Sequence, residues 1–186
     1  MVKAKDHEEE KALQRAQLLT AKPVLYVCNV AEEDAANGNA LSEQVFAKAR
    51  AEGAQAVVVS AAIEAELVAM EPAERAEYLG ELGLAETGLA RVIRAGYALL
   101  GLKTFFTVGP KEARAWTFHT GARAPQAAGE IHTDFEKGFI RAETIAYDDY
   151  VTLGGEAGAK DAGKLRQEGK EYVVQDGDVL HFKFNV

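Results

Sequence analysis

Two short runs of consecutive apolar residues, 24–28 and 56–59, stand out along the chain. A strand that is buried on both faces has this pattern, because neither face needs polar side chains. Between the runs, residues 41–52 carry apolar side chains at helical spacing, and Gly53 follows them as a helix terminator. The order strand, helix, strand predicts a βαβ unit in a parallel sheet that is covered by helices.

This predicted sheet lacks further strands. Two parallel strands do not form a stable sheet by themselves, and no other segment of the chain has the same continuous apolar character. Either strands from elsewhere in the chain pair with these two, or the sheet is incomplete.

Helical spacing accounts for most of the remaining residues in the first half. Residues 6–20 predict a first helix, and residues 73–82 predict another, which Pro72 opens and Gly83 closes. In a further helix the apolar side chains share one stripe, which predicts that they pack into the core. These side chains are Leu89, Val92, Ile93, Tyr97 and Leu100.

Beyond Gly101 the pattern changes to the alternation that is typical of strands. Residues 103–108 and 113–119 predict a hairpin, because a short turn rich in Gly and Pro separates them. Residues 139–147 predict a third strand, and residues 174–184 predict a closing hairpin arm.

The turns and caps of this half support a separate domain. Gly177 supplies the positive-φ turn of the closing arm, and the spacing of Thr133 and Glu136 predicts a capping box at the start of a short helix. We therefore expect two domains, 1–101 and 102–186, in which an α/β fold is followed by an α+β fold.

Composition excludes several classes of protein. The 186 residues are 48% hydrophobic and 27% charged, which is typical of a globular chain and not of a disordered one. A net charge of −8 excludes a basic field over the whole molecule. The single cysteine, Cys28, precludes an intrachain disulfide and fits a reducing compartment. No apolar run approaches the roughly 18 residues of a membrane helix, so we expect a soluble cytoplasmic protein that binds neither membrane nor DNA.

Few motifs in the chain carry chemistry. Residues 158–164 have the glycine and lysine spacing of a phosphate-binding loop, but Leu165 stands where that loop needs Ser or Thr. No buried strand precedes the segment, so residues 157–167 predict a surface helix. The four histidines lack the paired spacing of metal ligands. We expect neither catalytic residues nor a metal site in this chain.

Polar residues follow both apolar runs directly. Asn29 and Glu32 come after the first run, and Ser60 and Ala61 come after the second. Ligands of open α/β sheets bind beyond the carboxyl ends of the strands. An amide, a carboxylate and small residues are able to hydrogen-bond the edges of a flat base there. Ordinary turn and cap roles explain the same residue types, and the pattern alone leaves both interpretations open.

Longer motifs resemble a known family. The stretch 22–27, the spacing Asn29-x-x-Glu32 and the pair Ser60-Ala61 resemble the later part of the nucleotide-binding domain of the Obg-like ATPase (YchF) family. The second half of the chain resembles the TGS domain of that family, and the matching segments are 114–118, Gly121, 124–140 and 176–185. The resemblance extends over nearly the whole chain, from about Leu18 onward.

The resemblance implies a fold and a base-binding site. It implies that residues 1–101 are the later portion of a G-domain-like nucleotide-binding domain, with the end of a helical insertion. Residues 102–186 would be a β-grasp, ubiquitin-like TGS domain. By the same resemblance, Asn29 and the Val30 backbone contact the base, and the Ser60-Ala61 backbone completes the pocket. Most relatives of the class read guanine with Asn-Lys-x-Asp. The family's Asn-x-x-Glu form, with Glu32 here, is consistent with a preference for ATP over GTP.

The resemblance also shows a large departure. The family's phosphate loop, switch segments and Mg²⁺ ligands lie N-terminal to the residues present here. We therefore expect a C-terminal fragment of a ribosome-associated ATPase, inactive by itself and without bound nucleotide. ATP or GTP with Mg²⁺ would bind the intact parent, and a ribosome or an associated RNA or protein would bind the TGS domain. The alternative is a stand-alone TGS-type module that binds RNA or protein and has no nucleotide function.

Overall fold

The computed structural model describes residues 5–185. The chain divides into two compact units, Met1–Leu100 and Gly101–Val186. No helix among the described residues is long and apolar enough to span a membrane. Each unit has its own sheet, with two strands in the first and five in the second. The mixed α/β character expected from the sequence is confirmed.

Within residues 5–100, the first unit contains two strands, five α-helices and two short 3₁₀ turns, Leu19–Ala21 and Glu32–Asp34. In chain order the helices and strands are α1 (His7–Ala16), β1 (Leu25–Asn29), α2 (Ala40–Glu52), β2 (Gln55–Val59), α3 (Ala61–Ala69), α4 (Pro72–Glu81) and α5 (Gly88–Leu99). Strands β1 and β2 pair in parallel across the α2 crossover. The predicted βαβ unit is confirmed.

Helices α2 and α5 cover opposite faces of this small sheet. A side chain added at Gly38, just before α2, would touch Val58, whereas one added at Gly88, the first residue of α5, would touch Val59. Successive residues of a strand point to opposite faces. The sheet is therefore the middle layer of three, with α2 on one side and α5 on the other.

Two predictions of burial in this unit are wrong. Val24 and Val27 are 46% and 50% exposed, although the apolar run predicted burial on both faces. Leu89 and Ile93 of α5, and Leu100 directly after it, are each more than half exposed. Helix α5 packs on a sheet of only two strands, and that sheet is too narrow to cover the whole apolar stripe.

The second unit contains the remaining strands and helices. In chain order they are β3 (Leu102–Val108), β4 (Ala113–His119), α6 (Ala124–Gly129), α7 (Thr133–Lys137), β5 (Phe139–Ile145), α8 (Tyr147–Thr152), α9 (Glu156–Asp161), β6 (Arg166–Glu168) and β7 (Val179–Phe184). Its sheet has the order β4-β3-β7-β5-β6, and only the β3–β7 pair is parallel. The predicted β3–β4 hairpin is confirmed.

Aromatic side chains fill the core of this unit. Phe105 is fully buried, and its ring centroid lies 5.8 Å from that of Phe118 and 5.7 Å from that of Phe182. Three buried alanines of α6 join the same core and allow this helix to lie close to the sheet. A smaller cluster around Ile145 and Val179 includes side chains of α8 and α9.

The closing segment differs from its prediction. Residues 174–184 do not form a hairpin, because only Val179–Phe184 is a strand and it lies between β3 and β5. Gly177 does adopt the expected positive φ of 82°. The turn is held instead by Asp176, whose side chain accepts a hydrogen bond from the Thr104 N–H at 2.8 Å.

Three further boundaries in this unit differ from the sequence patterns. Helix α7 is capped by His132, whose Nδ1 accepts from the Asp134 N–H at 3.1 Å, and Thr133 is already helical. The third strand ends at Ile145, and α8 begins two residues later. The helix predicted over 157–167 ends at Asp161, because residues 166–168 pair with β5 as an edge strand.

A buried carboxylate fixes the loop before β7. Asp178 is only 2% exposed and accepts from the Tyr172 hydroxyl at 2.8 Å and from the Gln175 N–H at 2.9 Å. The Arg166 guanidinium lies 3.7 Å away. Burial, and then the hydrogen bond to Asp178, raise the pKa of Tyr172 to about 12.

We predict that Asp178→Ala lowers the free energy of unfolding by about 3 kcal/mol, because two partly buried hydrogen bonds lose their charged acceptor. Because the pKa of Tyr172 lies above its ordinary value of 10, its contribution to stability is complete below pH 10 and is lost as the pH rises towards 12. Denaturant unfolding and an NMR titration of tyrosine signals measure both effects. Asp148→Ala, at an exposed carboxylate, is the matched control, and equal stability of the two variants would contradict the prediction.

Candidate functional site

The predicted base-binding residues lie where β1 and β2 end. Asn29, the last residue of β1, is opposite Val59, the last residue of β2. The Asn29 Oδ1 accepts a hydrogen bond from the Ala61 N–H at 3.0 Å, and the Val30 N–H donates to the Val59 carbonyl at 2.9 Å. Two segments whose joined residues, Asn29 and Ala61, are 32 residues apart in sequence thus lie side by side at the carboxyl ends of the strands.

These hydrogen bonds decide which groups are available to a ligand. The N–H groups of Val30 and Ala61 are already donated within the protein. The Asn29 amide nitrogen has no hydrogen-bond partner within residues 5–185, and neither does the Val30 carbonyl. Asn29 therefore supports the second loop with its oxygen while its nitrogen is free to donate to a ligand.

Ser60, the residue between β2 and α3, is 2% exposed. Its backbone carbonyl accepts from the Glu64 N–H at the start of α3, but its side chain makes no cap. The hydroxyl has no partner among the described residues. A buried hydroxyl without a partner is costly, so a ligand or an ordered water that reaches it gains a hydrogen bond.

Glu32 is on the same loop but is not joined to the second one. It opens the 3₁₀ turn Glu32–Asp34 and is exposed. No hydrogen bond or ion pair of the described structure links it to Ser60 or Ala61. The structure thus brings together Asn29, Val30, Ser60 and Ala61, and leaves the Glu32 carboxylate in solvent beside them. Base binding by these five residues stays a prediction.

The loop after β1 is supported by Asn39, which the sequence analysis did not single out. The Asn39 Oδ1 accepts from the N–H groups of Leu41 and Ser42 and so caps α2. Its Nδ2 donates to Asp34 at 2.7 Å and ties the loop to the cap. Asn39 and Ser42 have a capping-box spacing that was readable in the sequence.

Arg91 supports the same loop from α5. Its guanidinium donates to the Ala35 carbonyl through Nη1 at 3.3 Å and Nη2 at 3.4 Å. Ala35 is buried with Ile63 and Leu67 of α3. No local pattern marks this role, because the acceptor is a backbone carbonyl 56 residues away in sequence.

A cavity of about 270 Å³ opens beside the predicted site. It is bounded by β1 and by α2, and its lining residues are Tyr26, Val27, Cys28, Asn29, Val30, Asn39, Leu41, Ser42 and Val45. Of the five predicted base-site residues, Asn29 and Val30 line this cavity, whereas Glu32, Ser60 and Ala61 do not.

The described residues contain no cluster of metal ligands, and the segment 158–164 does not form a phosphate loop. Within residues 5–185, no group of three or more His, Cys, Asp or Glu side chains has the geometry to hold a metal ion. The segment 158–164 is not a phosphate loop, because Gly158 is inside α9. A side chain at Gly158 would come within 1.9 Å of the Leu153 carbonyl oxygen, so close packing explains this glycine.

Comparison with known proteins identifies the family. Residues 102–185 match the family model YchF-GTPase_C, which is described as a protein of unknown function (DUF933). The chain is 54% identical over 181 residues to the ribosome-binding ATPase YchF of Bacillus subtilis, across 96% of this chain and 50% of that protein. The chain matches the C-terminal part of YchF/Obg-like ATPases. This confirms the family resemblance seen in the sequence.

More distant members of the YchF/Obg-like family agree. Obg-like ATPase 1 of Rattus norvegicus is 44% identical across 96% of this chain and 46% of its own length. The solved structure of the Schizosaccharomyces pombe YchF GTPase superposes with a TM-score of 0.78 at 35% identity, over 97% of this chain and 48% of that one. The chain spans about half the length of these relatives and corresponds to their C-terminal part.

We predict that Asn29→Ala speeds amide hydrogen exchange at Ala61 about fivefold, because a hydrogen bond worth near 1 kcal/mol is lost. Asn29→Asp keeps the acceptor oxygen and should keep the protection. Hydrogen exchange followed by NMR measures the effect in both variants. Asn37→Ala, at an exposed amide in the loop before α2, is the control. Unchanged exchange at Ala61 in Asn29→Ala would contradict the prediction.

Proposed function

We propose that this chain supplies the base-reading half of the nucleotide site in a ribosome-associated ATPase that accepts ATP in preference to GTP. The observation that carries the proposal is the hydrogen bond from the Ala61 N–H to the Asn29 Oδ1. It joins the two loops that would hold the base, and it leaves the Asn29 amide nitrogen available as a donor.

The site has groups that suit a purine, and it lacks the pair of residues that selects guanine. The Asn29 Nδ2 is a donor that suits a ring nitrogen of a purine, and the exposed Glu32 carboxylate accepts from an exocyclic amine. Guanine readers of the class carry Lys and Asp at the positions of Val30 and Glu32. With Val at the first position and a longer carboxylate at the second, the clamp for guanine is absent.

Exposed apolar side chains in and just before β1 support our proposal that the intact protein has a larger, G-domain-like sheet. Val24 and Val27 are about half exposed, and Leu18 and Leu19 just before β1 are also exposed. A strand from the longer relatives' remaining half would cover such residues. We propose that this half also provides the phosphate and Mg²⁺ contacts, so that this chain alone neither holds nucleotide tightly nor hydrolyses it.

We propose that the second unit is a β-grasp TGS domain that docks on a ribosome or on associated RNA or protein, and its strand topology supports this. Its first and last strands, β3 and β7, are parallel neighbours in the middle of the sheet, and α6 packs on one face. The relatives named ribosome-binding ATPases give the partner class. We propose the domain limits 1–101 and 102–186 on this basis, and a cytoplasmic location.

We predict that exchanging both Val30→Lys and Glu32→Asp shifts base preference towards GTP at least tenfold, because a restored bidentate partner is worth about 1–3 kcal/mol. The experiment uses a full-length protein that carries this chain as its C-terminal part. Competition between ATP and GTP for a fluorescent nucleotide gives the ratio. Asn37→Lys paired with Glu33→Asp, in the same loop, is the charge-matched control.

An unchanged ATP/GTP ratio in that double variant would overturn the assignment of this loop to base reading. Binding of nucleotide that is insensitive to any change at Asn29, Glu32 or Ser60 would favour the alternative, a TGS-type module without nucleotide function. Phosphate release by the present chain alone, above that of a heat-inactivated sample, would contradict its expected inactivity.

We predict that residues 102–186 fold alone and co-sediment with ribosomes at low salt, and that sedimentation falls steeply at moderate salt because phosphate contacts release counterions. The compact unit has its own aromatic core and a nearly balanced charge. Circular dichroism tests the folding, and pelleting tests the docking. An unfolded piece would refute independent folding. A folded piece that never pellets would refute docking through this domain.

A further inference from the structure

A second cavity, of about 540 Å³, lies away from the predicted base site. Helices α2 and α5 both line it, together with residues of β2. Because the two helices cover opposite faces of the sheet, a space that both of them line lies past a sheet edge. Its lining residues include Glu43, Phe46 and Arg50 of α2, Ala56 and Val58 of β2, and Arg94 of α5. We call this space the β2 groove, since it includes β2 and no residue of β1.

The backbone of β2 is unpaired along this groove. In a parallel pair, alternate residues bond to the partner strand and the others turn their N–H and C=O groups away. The Gln55 N–H donates to the Val24 carbonyl at 3.2 Å, so the odd-numbered residues of β2 face β1. Ala56 and Val58 therefore direct their N–H and C=O groups into the β2 groove, and no described strand pairs with this edge.

The groove gathers positive charge in an acidic unit. Residues 1–100 contain 16 acidic and 10 basic residues. Three of those basic side chains, Arg50, Arg91 and Arg94, line the β2 groove, against the carboxylates of Glu43 and Glu86. Arg94 is paired with Glu86. Arg50 has no ion-pair partner among residues 5–185 and is therefore open to an incoming carboxylate.

Arg91 gives a second, independent indication of a ligand. Its Nε is buried and has no hydrogen-bond partner among the described residues. Its two terminal nitrogens share the single Ala35 carbonyl at 3.3 and 3.4 Å, which are long hydrogen bonds. The guanidinium of Arg91 has five N–H donors, and among the described residues their acceptor is the Ala35 carbonyl. Further donors are therefore available at the wall of the groove.

We propose that the β2 groove binds an extended acidic peptide segment of a partner protein, which adds to β2 as a further strand. Backbone groups of the peptide pair with Ala56 and Val58, and its carboxylates meet Arg50, Arg91 and Arg94. This is the strand-addition mode of peptide recognition, in which the backbone supplies affinity and alternate side chains supply specificity.

The shape and charge of the groove favour a peptide over a polyphosphate. Strand β2 has five residues, which corresponds to roughly 17 Å of paired backbone at about 3.3 Å per residue. Glu43 and Glu86 disfavour a chain of phosphates, whereas a peptide can place neutral residues beside them. Successive peptide side chains point alternately to α2 and to α5, where Phe46 and the small Ala95 and Ala98 accept apolar groups.

The test uses the full chain and a synthetic peptide in which glutamate alternates with valine. Isotope-labelled protein is titrated with this peptide and followed by amide NMR. We expect the shifted signals to include Ala56 and Val58 and to spare Val27 at the opposite sheet edge. A peptide with lysine in place of glutamate should bind at least about tenfold more weakly, because its charges oppose the arginines.

Two sets of controls separate pairing from charge. A peptide methylated at alternate backbone nitrogens keeps its carboxylates but cannot pair along one edge, and we expect binding to fall about tenfold. Arg50→Ala and Arg94→Ala, both at exposed side chains, should each weaken binding about fivefold. Arg15→Ala, at an exposed arginine of α1 outside the groove, should leave it unchanged.

Three results would overturn the proposal. They are shifts confined to residues outside the β2 groove, equal binding of the methylated and unmethylated peptides, and equal binding of the glutamate and lysine peptides. Absence of any shift at the highest peptide concentration would also overturn it. Circular dichroism of each variant establishes that a loss of binding is not a loss of fold.

Discussion

The parallel pairing of β1 with β2 is the constraint on which the first unit depends. Because the strands run in the same direction, their carboxyl ends meet, and Asn29 comes opposite Val59. The hydrogen bond from Ala61 to Asn29 follows from that register. The same pairing uses one edge of each strand and leaves the other open. The predicted base site and the β2 groove are thus an end and an edge of one two-stranded sheet.

Local patterns in the sequence were sufficient for many of the elements. The apolar runs gave both strands of the first unit, and Gly53, in the left-handed conformation, ends α2 as its position predicted. The residues that meet at the strand ends were also predictable, since a βαβ unit brings the two carboxyl ends together. These features depend on interactions between near neighbours, or on a topology with few alternatives.

Longer-range features were not predictable in this way. Helical periodicity identified the apolar stripe of α5, but periodicity does not say how wide the facing sheet is, and Ile93 is exposed. Arg91 donates to the Ala35 carbonyl. Every residue has a backbone carbonyl, so the residue type at position 35 does not indicate this contact. The segment before β7 has turn residues typical of a hairpin, yet β7 pairs with β3 and β5. Alternation shows which residues share a face and does not show which strands are neighbours.

The central position of β7 has a consequence for how the second unit is made. During synthesis, the β3–β4 hairpin and the β5–β6 pair emerge before β7, and only β7 joins them, since Phe106 pairs with Val179 and Ile145 pairs with the same residue. Until then two sheet edges are exposed to other nascent chains. Contacts so distant in sequence also slow folding. This unit therefore completes its sheet only after residues 179–184 have been added, and until then β3 and β5 each lack the strand that lies between them.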